Sequence, residues 1–297
     1  MYRFLAVLAC LVVLGLAGFW IATMPRPLPD DTFAGLTGDA ARGEVIFWAG
    51  GCASCHAAPG AKGEGEDRLV LAGGRPFPSD FGTFHAPNIS PGAAGIGGWS
   101  VRDLGNAMRR GLSPGGAHYY PAFPYTSYIR AAPQDIADLH AFLQTLPASD
   151  TPNIPHEVGF PFSVRRLLGG WKLLFLSEDW VLAEPETDEI ARGRYLVEAL
   201  GHCAECHTPR NALGAPDRDR WLAGAPSPDG PGTIPNITPA RLDWSAVDIA
   251  AYLKTGFTPD FDSAGGDMAE VVQNLSHLSD ADLAAIAAYL KAVPPVE

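Results

Sequence analysis

Two pentapeptides in this chain combine two thiols with an imidazole at a fixed spacing. Residues 52–56 read Cys-Ala-Ser-Cys-His, and residues 203–207 read Cys-Ala-Glu-Cys-His. This spacing is the attachment signature of c-type haem, in which both thiols bond the haem vinyl groups and the histidine binds the iron. The motifs therefore predict two covalently bound haem c groups. The candidate thioether residues are Cys52, Cys55, Cys203 and Cys206, and the candidate proximal iron ligands are His56 and His207.

Two other uses of paired cysteines fit these motifs less well. Structural zinc sites also use Cys-x-x-Cys pairs, but they usually lack a histidine directly after the second cysteine. A dithiol oxidoreductase carries one such motif near a βαβ pattern, and no such pattern is visible in the sequence. The fifth cysteine, Cys10, lies in an apolar run, so no disulfide framework is indicated.

A six-coordinate iron needs a second axial ligand, and the second half of the chain offers Met268. This residue stands in the glycine-rich stretch 264–268, which we expect to be a loop ahead of the last helix. A thioether there would bind the iron and raise its reduction potential. Methionine is more often a core residue, but a place in a loop rather than on a periodic apolar face favours ligation.

The first half of the chain has Phe123 at the position that corresponds to Met268, and phenylalanine cannot bind iron. His118 is the imidazole of the same segment, and we predict it as the sixth ligand of the first haem. His85 and Met108 are alternatives, and an open, five-coordinate iron is a further one. Without a thioether, the first haem should have a lower potential than the second.

The elements that must position these residues occur twice. Two ungapped stretches and an Asn-Ile-Ser/Thr-Pro sequence recur in register with the two cysteine motifs, which indicates a duplication. The matching stretches are 99–111 with 244–256, 135–147 with 282–294, and 88–91 with 236–239. Each unit therefore runs helix, cysteine motif, long Gly/Pro-rich loop, helix, ligand loop and C-terminal helix.

Helix starts are marked by three Ser-x-x-Asp capping sequences ahead of apolar helical periodicity, beginning at Ser100, Ser245 and Ser279. Strand-like alternation is scarce, so the predicted fold class is all-α with two tandem domains. We expect the first domain at residues 25–150 and the second at 184–297. The stretch 151–183 between them is too apolar for a free linker, and we expect it to pack between the domains.

The N-terminus carries an uncharged apolar run at residues 4–23, long enough to span a bilayer. Arg3 precedes it and Asp30 follows it, so the positive-inside rule places the domains outside the cytoplasm. Residues 1–24 are predicted as a membrane anchor. A cleaved signal peptide is the alternative, although its apolar region should be shorter and end in an Ala-x-Ala-like site. The net charge of −12 argues against nucleic acid as a partner.

The chain resembles the membrane-associated multihaem cytochrome c subunits of bacterial periplasmic dehydrogenases, with those of alcohol, gluconate and aldehyde dehydrogenases as the nearest type. The resemblance covers about residues 36–294 and rests on the two cysteine motifs and four further stretches. These stretches are 88–91, 95–99, 120–125 and 266–272. The chain departs from the pattern in two respects, because such subunits commonly carry three haems and many have methionine where this chain has Phe123.

The resemblance implies two all-α cytochrome c domains that carry electrons without substrate chemistry. The donor would be a periplasmic dehydrogenase subunit, and the acceptor another cytochrome, an oxidase or a quinone site. Haem potentials would direct electrons from haem 1 to haem 2, in a protein of the bacterial inner membrane facing the periplasm. The alternative is a dihaem redox enzyme of the peroxidase type that uses a first haem without a methionine ligand.

Overall fold

The computed structural model describes residues 1–61, 66–227 and 230–297. Within these ranges the regular structure is mostly helical, as the sequence predicted. The α-helices, in chain order, are α1 Tyr2–Ala22, α2 Ala40–Ala49, α3 Cys52–His56, α4 Val101–Arg110, α5 Tyr125–Tyr128, α6 Pro133–Leu143, α7 Leu167–Phe175, α8 Asp188–Arg194, α9 Ala204–His207, α10 Ala246–Thr255, α11 Gly266–Leu275 and α12 Asp280–Ala292.

Short strands occur in the long loops, where strand-like alternation is scarce in the sequence. Three of them form an antiparallel sheet in the order β1-β2-β3, with Pro76 opposite His85 and Gly82 opposite Val158. The other two pair as an antiparallel hairpin. The strands are β1 Pro76–Ser79, β2 Gly82–His85, β3 Glu157–Val158, β4 Ala225–Pro226 and β5 Thr233–Ile234. Single turns of 3₁₀-helix lie at Glu66–Leu69 and Arg218–Arg220, and a π-helical turn at Tyr195–Leu200 continues α8.

The predicted capping sequences begin helices as expected. The hydroxyl oxygens of Ser100, Ser245 and Ser279 accept the backbone N–H groups three residues later, which satisfies donors that a helix start leaves without a partner. At the other end, α4 stops at Gly111 and α10 stops at Gly256. Both glycines have the left-handed backbone conformation that side-chain-bearing residues adopt only with strain.

Each unit is built on the crossing of its first and last helices, α2 against α6 and α8 against α12. A glycine in the first helix of each crossing lets the two helix backbones approach closely. A Cβ atom on Gly43 would lie 2.0 Å from the carbonyl oxygen of Asp138, and one on Gly193 would lie 1.9 Å from that of Ala285. Asp138 and Ala285 are equivalent residues of the duplication, so the same contact occurs in both units.

Apolar side chains from both units form one continuous core. Phe47 and Ile136 are fully buried in the first unit, and Leu283 and Tyr289 are buried in the second. Burial of such a side chain contributes roughly 1.5–3 kcal/mol. The two units therefore share apolar packing in addition to their individual helix crossings.

Helix α1 stands apart from this core. It is 21 residues long with a mean hydropathy of 2.7, and none of its apolar window is buried. At about 1.5 Å per residue it is long enough for the hydrocarbon layer of a bilayer. The helix supports membrane anchoring of the chain.

The stretch 151–183 contacts both units. Strand β3 extends the sheet of the first unit, and the indole N–H of Trp171 donates to the Leu213 carbonyl of the second at 2.9 Å. Further along, the backbone N–H groups of Val181 and Leu182 donate to the buried carboxylate of Glu198. The units also touch each other directly, as in the hydrogen bond from the Ala132 amide to the Tyr195 hydroxyl, a contact that the sequence did not predict.

Candidate haem sites

The first cysteine motif is the short helix α3. It begins after Gly51, whose left-handed backbone (φ 60°) turns the chain sharply away from the end of α2. Burial raises the pKa of the Cys52 thiol to about 12 and that of Cys55 to about 11. The His56 Nδ1–H group donates to the Pro87 carbonyl at 2.8 Å, which orients the imidazole and leaves Nε2 as the nitrogen available to a metal.

The second motif repeats this arrangement. His202 takes the place of Gly51 and has the same left-handed backbone (φ 41°), which is uncommon for a residue with a side chain. Burial raises the pKa of Cys203 to about 12. The His207 Nδ1–H group donates to the Pro235 carbonyl, again at 2.8 Å. Burial lowers the pKa of both His56 and His207, so each imidazole is neutral near pH 7 and suited to bind a metal.

The two proline carbonyls are held by a conformation that both units share. The amide of Gly73 donates to the His56 carbonyl, and that of Gly224 donates to the His207 carbonyl. Both glycines have positive φ, and a Cβ atom on Gly73 would lie 2.4 Å from the carbonyl carbon of Pro87. The proline segment therefore rests directly on glycine backbone beneath each candidate proximal histidine.

The repeated Asn-Ile-Ser/Thr-Pro sequence has a structural role next to these prolines. The side-chain amide of Asn88 donates to the carbonyls of Ser149 and Thr151, and that of Asn236 donates to the Val296 carbonyl. Each asparagine thus ties its haem-side loop to the chain that follows the last helix of its unit. The sequence contained this signal, since each proline immediately precedes the repeated asparagine.

These residues fit covalent haem c. Each motif presents two thiols one helical turn apart beside a neutral imidazole whose Nδ1 is fixed and whose Nε2 remains for iron. Haem iron supplies the one-electron chemistry when it is bound. The protein supplies the attachment, the axial ligands and the surroundings that set the potential.

Met268 lies in the first turn of α11, and the prediction that it stands in a loop was wrong. Gly265 and Gly266 precede it in the sequence, but the residues that follow have the apolar spacing of a helix and pack their Val272 and Leu275 side chains inwards. The Met268 side chain is half-buried against the core. Its role as an iron ligand stays a prediction.

At the corresponding place in the first unit, Phe123 packs among aromatic rings. Its ring centroid lies 6.1 Å from that of Tyr119 and 5.7 Å from that of Tyr128. Met108, one of the alternative ligands, is buried in the core. Its equivalent in the second unit, Leu253, is buried in the same way, which fits a packing role for both.

The imidazole of His118 is buried and contacts the membrane helix and the connector. Its Nε2 lies 3.1 Å from the Thr23 carbonyl oxygen, and its Nδ1 lies 3.2 Å from Lys172 Nζ. Lys172 also donates to the carbonyls of Arg110 and Gly111 at the end of α4. Ligation of haem iron by His118 would require the imidazole to exchange one of these contacts for the metal.

A cavity of about 210 Å³ adjoins His118 where α1, α4 and α7 meet. Met24, Leu112 and Leu173 contribute apolar walls, and Lys172 lies on the same lining. Burial lowers the pKa of Lys172 to about 7.

The other alternative ligand of haem 1 is His85, the last residue of β2. Its backbone N–H donates to His156 Nδ1 at 3.1 Å.

The segments that lead into the two cysteine motifs meet where the units touch. His202, directly before the second motif, donates from Nε2 to the Gly50 carbonyl at 3.2 Å. The Tyr128 hydroxyl donates to the same oxygen at 3.0 Å. Nearby, the rings of Trp48 and His277 stack with centroids 3.9 Å apart. The residues that precede each motif therefore lie against the other unit.

Helix α11 packs directly on the first motif. The Asn274 amide donates to Ser54 Oγ at 2.6 Å and its carbonyl oxygen accepts from Arg68 at 3.0 Å. Arg75 donates to the Ser54 carbonyl and forms ion pairs with Asp267 and Glu270, the latter at 2.8 Å. Sequence reasoning missed Asn274 and Arg75, because a contact across the interface leaves no periodic or motif signal. The helix that carries Met268 is thus joined to the motif that would hold the other haem.

Comparison with known proteins agrees with this geometry. The family model for cytochrome c matches residues 40–147 and 190–294, one region in each unit. A diheme cytochrome c-type protein of Cereibacter sphaeroides is 62% identical over 291 residues, covering 98% of this chain and 97% of that protein. The fold and the two motifs define a dihaem electron carrier of the c type.

Two further relatives are subunits of dehydrogenases. The fructose dehydrogenase cytochrome subunit of Gluconobacter japonicus is 38% identical over 99% of this chain and 60% of its own length. The cytochrome c subunit of alcohol dehydrogenase (quinone) from Gluconobacter oxydans is 35% identical over 86% of this chain and 55% of its own length. The chain therefore spans little more than half of these subunits. It belongs to the cytochrome c family and carries two covalent haem c groups.

Proposed function

We propose that this protein is a periplasmic, inner-membrane-anchored dihaem cytochrome c that takes electrons from a partner dehydrogenase and passes them to a respiratory acceptor. The acceptor class is another cytochrome, an oxidase or a quinone site. The dehydrogenase subunits among its relatives support the kind of donor. The charge distribution along α1, with Arg3 in its first turn and Asp30 and Asp31 beyond its end, supports the periplasmic orientation.

Within the chain, we assign the thioether bonds to the four motif cysteines and the proximal ligation to His56 and His207. Met268 is the proposed distal ligand of haem 2. Haem 1 has no thioether ligand at Phe123, and its proposed distal ligand is His118. To bind the iron, the His118 imidazole would exchange its contact with Thr23 or Lys172 for the metal. Because a thioether raises the potential, electrons enter at haem 1 and leave from haem 2.

The observation that carries this proposal is the direct contact between the two segments that lead into the motifs. Gly50 lies two residues before the first motif and accepts a hydrogen bond from His202, which precedes the second. Asn274 and Arg75 add polar contacts between α11 and the first motif. An arrangement that places two redox motifs side by side in one folded body suits transfer between them.

Rapid reduction of the holoprotein tests the proposal. Fully oxidised protein is mixed with less than one equivalent of a one-electron donor, and the two haem spectra are followed separately. We expect early reduction of haem 1 followed by first-order transfer to haem 2 at a rate independent of protein concentration. A redistribution rate that rises in proportion to protein concentration would mean transfer between molecules and would overturn the intramolecular route.

A further inference from the structure

The connector between the two units turns an apolar surface outwards. Phe160 is 86% exposed and Leu174 is 71% exposed, and several large neighbours are exposed as well. The exposed set is Phe160, Phe162, Val164, Leu167, Leu173 and Leu174. Contiguous apolar surface of this kind is unfavourable in water and marks a place where something else covers it. We call residues 159–176 the connector surface.

The connector surface is fixed to the end of the membrane helix. The Arg166 guanidinium donates to Thr23 Oγ1 at 3.0 Å and to the Trp20 carbonyl, and it lies over the Trp20 ring at 4.1 Å. A Cβ atom on Gly169 would lie 2.6 Å from the Thr23 carbonyl oxygen, and one on Gly170 would lie 3.4 Å from the Phe19 ring. Helix α7 therefore packs against the last turn of α1.

The contact between α7 and the last turn of α1 determines the depth of α7 along the bilayer normal. The 21 residues of α1 give a helix of about 31 Å, close to the thickness of the hydrocarbon layer. The last turn of α1 then lies at the boundary between hydrocarbon and headgroups, where tryptophan is enriched and Trp20 stands. Because α7 touches that turn, it lies at the same boundary.

The composition of the connector surface suits this place. Residues 159–177 contain Arg165 and Arg166 and no acidic residue, in a chain whose net charge is −12. Lys172, in the same stretch, is turned inwards and donates to the Arg110 and Gly111 carbonyls. Leu167 and Leu174 are seven residues apart, so they lie on one face of α7. Basic residues beside exposed Phe and Leu are typical of helices that lie in the headgroup region.

We propose that the connector surface lies in the headgroup region of the bilayer that α1 spans, as a second membrane contact. Its partner is the lipid surface itself, with anionic headgroups near the arginines. A single membrane helix would leave the haem units free to tilt on their anchor. The connector surface removes that freedom, because Arg165 donates to the His118 carbonyl of the first unit at 2.9 Å while its neighbour holds α1.

Photochemical labelling by lipid tests this inference. The full-length holoprotein is placed in nanodiscs of phosphatidylcholine and phosphatidylglycerol that contain a phospholipid with a diazirine near the headgroup. After illumination, labelled peptides are mapped by mass spectrometry. We expect labels on residues 160–174 and on both ends of α1. The double variant Leu167→Glu with Leu174→Glu should lower labelling of the connector surface about tenfold, because burying two carboxylates there is costly.

The matched control is Val247→Glu, which places the same charge on an exposed apolar residue at the start of α10. It should leave labelling of the connector surface and α1 unchanged. Haem absorption should be the same in all variants, which separates loss of contact from loss of fold. If α1 is labelled but residues 160–174 are not, the inference is wrong and a protein partner covers this surface. The inference rests on the membrane anchoring in the proposed function, and labelling of α1 tests that part separately. The readout is independent of electron transfer, so that part of the proposed function can fail without affecting the inference.

Discussion

His56 and His207 are neutral imidazoles whose Nδ1–H groups are committed to proline carbonyls. This arrangement fixes the tautomer and ring orientation that iron ligation needs, without demanding a change of protonation when the metal binds. The same bond occurs at the same length in both units, so the two proximal sites should be electronically similar. Any difference in potential must then come from the distal side and from the surroundings.

Met268 is the residue on which the assignment of haem 2 depends. Met268→Ala should abolish the weak thioether–iron charge-transfer band and lower the potential of one haem only, because each unit would hold its own iron with its own set of ligands. The measurement is near-infrared spectroscopy of the oxidised holoprotein with a redox titration. Met108→Leu is the control, since Leu253 occupies the equivalent buried place and the exchange conserves volume. An unchanged band in Met268→Ala would remove Met268 from the site.

His118 has a structural contact with Thr23 and a proposed role as a ligand of haem 1, and one substitution distinguishes them. As the distal ligand of haem 1, its removal in His118→Ala should make that haem high-spin and reactive with cyanide, while haem 2 stays low-spin. Lys172→Met is the control, because it deletes the partner of Nδ1 and keeps the imidazole. A low-spin haem 1 in His118→Ala would instead assign His118 to its contacts with Thr23 and Lys172, and the ligand would have to be His85 or Met108. Electron paramagnetic resonance of the oxidised protein reads both outcomes.

Among the elements, the proline segment beneath each motif rests on a glycine that combines a positive φ with a close backbone contact. Gly73→Ala adds a methyl group 2.4 Å from the Pro87 carbonyl carbon at a positive φ of 70°. Gly116→Ala is a matched control with φ 78° and nothing within 4 Å. Both should pay about 1–2 kcal/mol for the left-handed backbone. Only Gly73→Ala should also displace the carbonyl that holds His56.

We therefore expect Gly73→Ala to shift the absorption band and potential of haem 1 and to lower its occupancy after maturation. Gly116→Ala should lower the unfolding temperature without spectral change. Absorption spectra, haem content per chain and thermal unfolding of the two variants make the comparison. Equal spectra in both variants would show that the proline carbonyl does not orient His56.

At the level of elements, the sequence predicted the features that depend on neighbouring residues. Capping serines, the cysteine motifs and the ungapped repeat predicted the helices because their signals lie within a few residues. Met268 was misplaced because the glycines before it resemble a loop, while the apolar residues after it continue as a helix and pack inwards. The strand β3 was missed for a different reason, since a two-residue strand is specified by its partner and not by its own pattern.

The whole molecule is held together by contacts that no local pattern encodes. Asn274 is buried and bridges Arg68 and Ser54 of the other unit. Asn274→Ala should cost about 1–3 kcal/mol, because it leaves a buried guanidinium without its acceptor. It should also slow redistribution of electrons between the haems, since α11 would no longer be fixed on the first motif.

Denaturant unfolding and rapid reduction of Asn274→Ala measure the two effects. Asn211→Ala is the control, because the side-chain carbonyl oxygen of Asn211 accepts from the Leu213 and Ala215 amides within its own loop and lies away from the first motif. That variant should keep the wild-type redistribution rate. A normal rate in Asn274→Ala would show that this contact does not hold the motifs in their working positions.

The order of the two haem potentials tests the central claim most directly. Spectroelectrochemical titration of the membrane-extracted holoprotein, read by near-infrared magnetic circular dichroism, assigns a ligand set and a potential to each haem together. We predict two one-electron transitions, the higher with histidine–methionine ligation and the lower without a thioether, so that electrons run from haem 1 to haem 2. A methionine-ligated haem with the lower potential, or one transition from a single haem, would contradict the account.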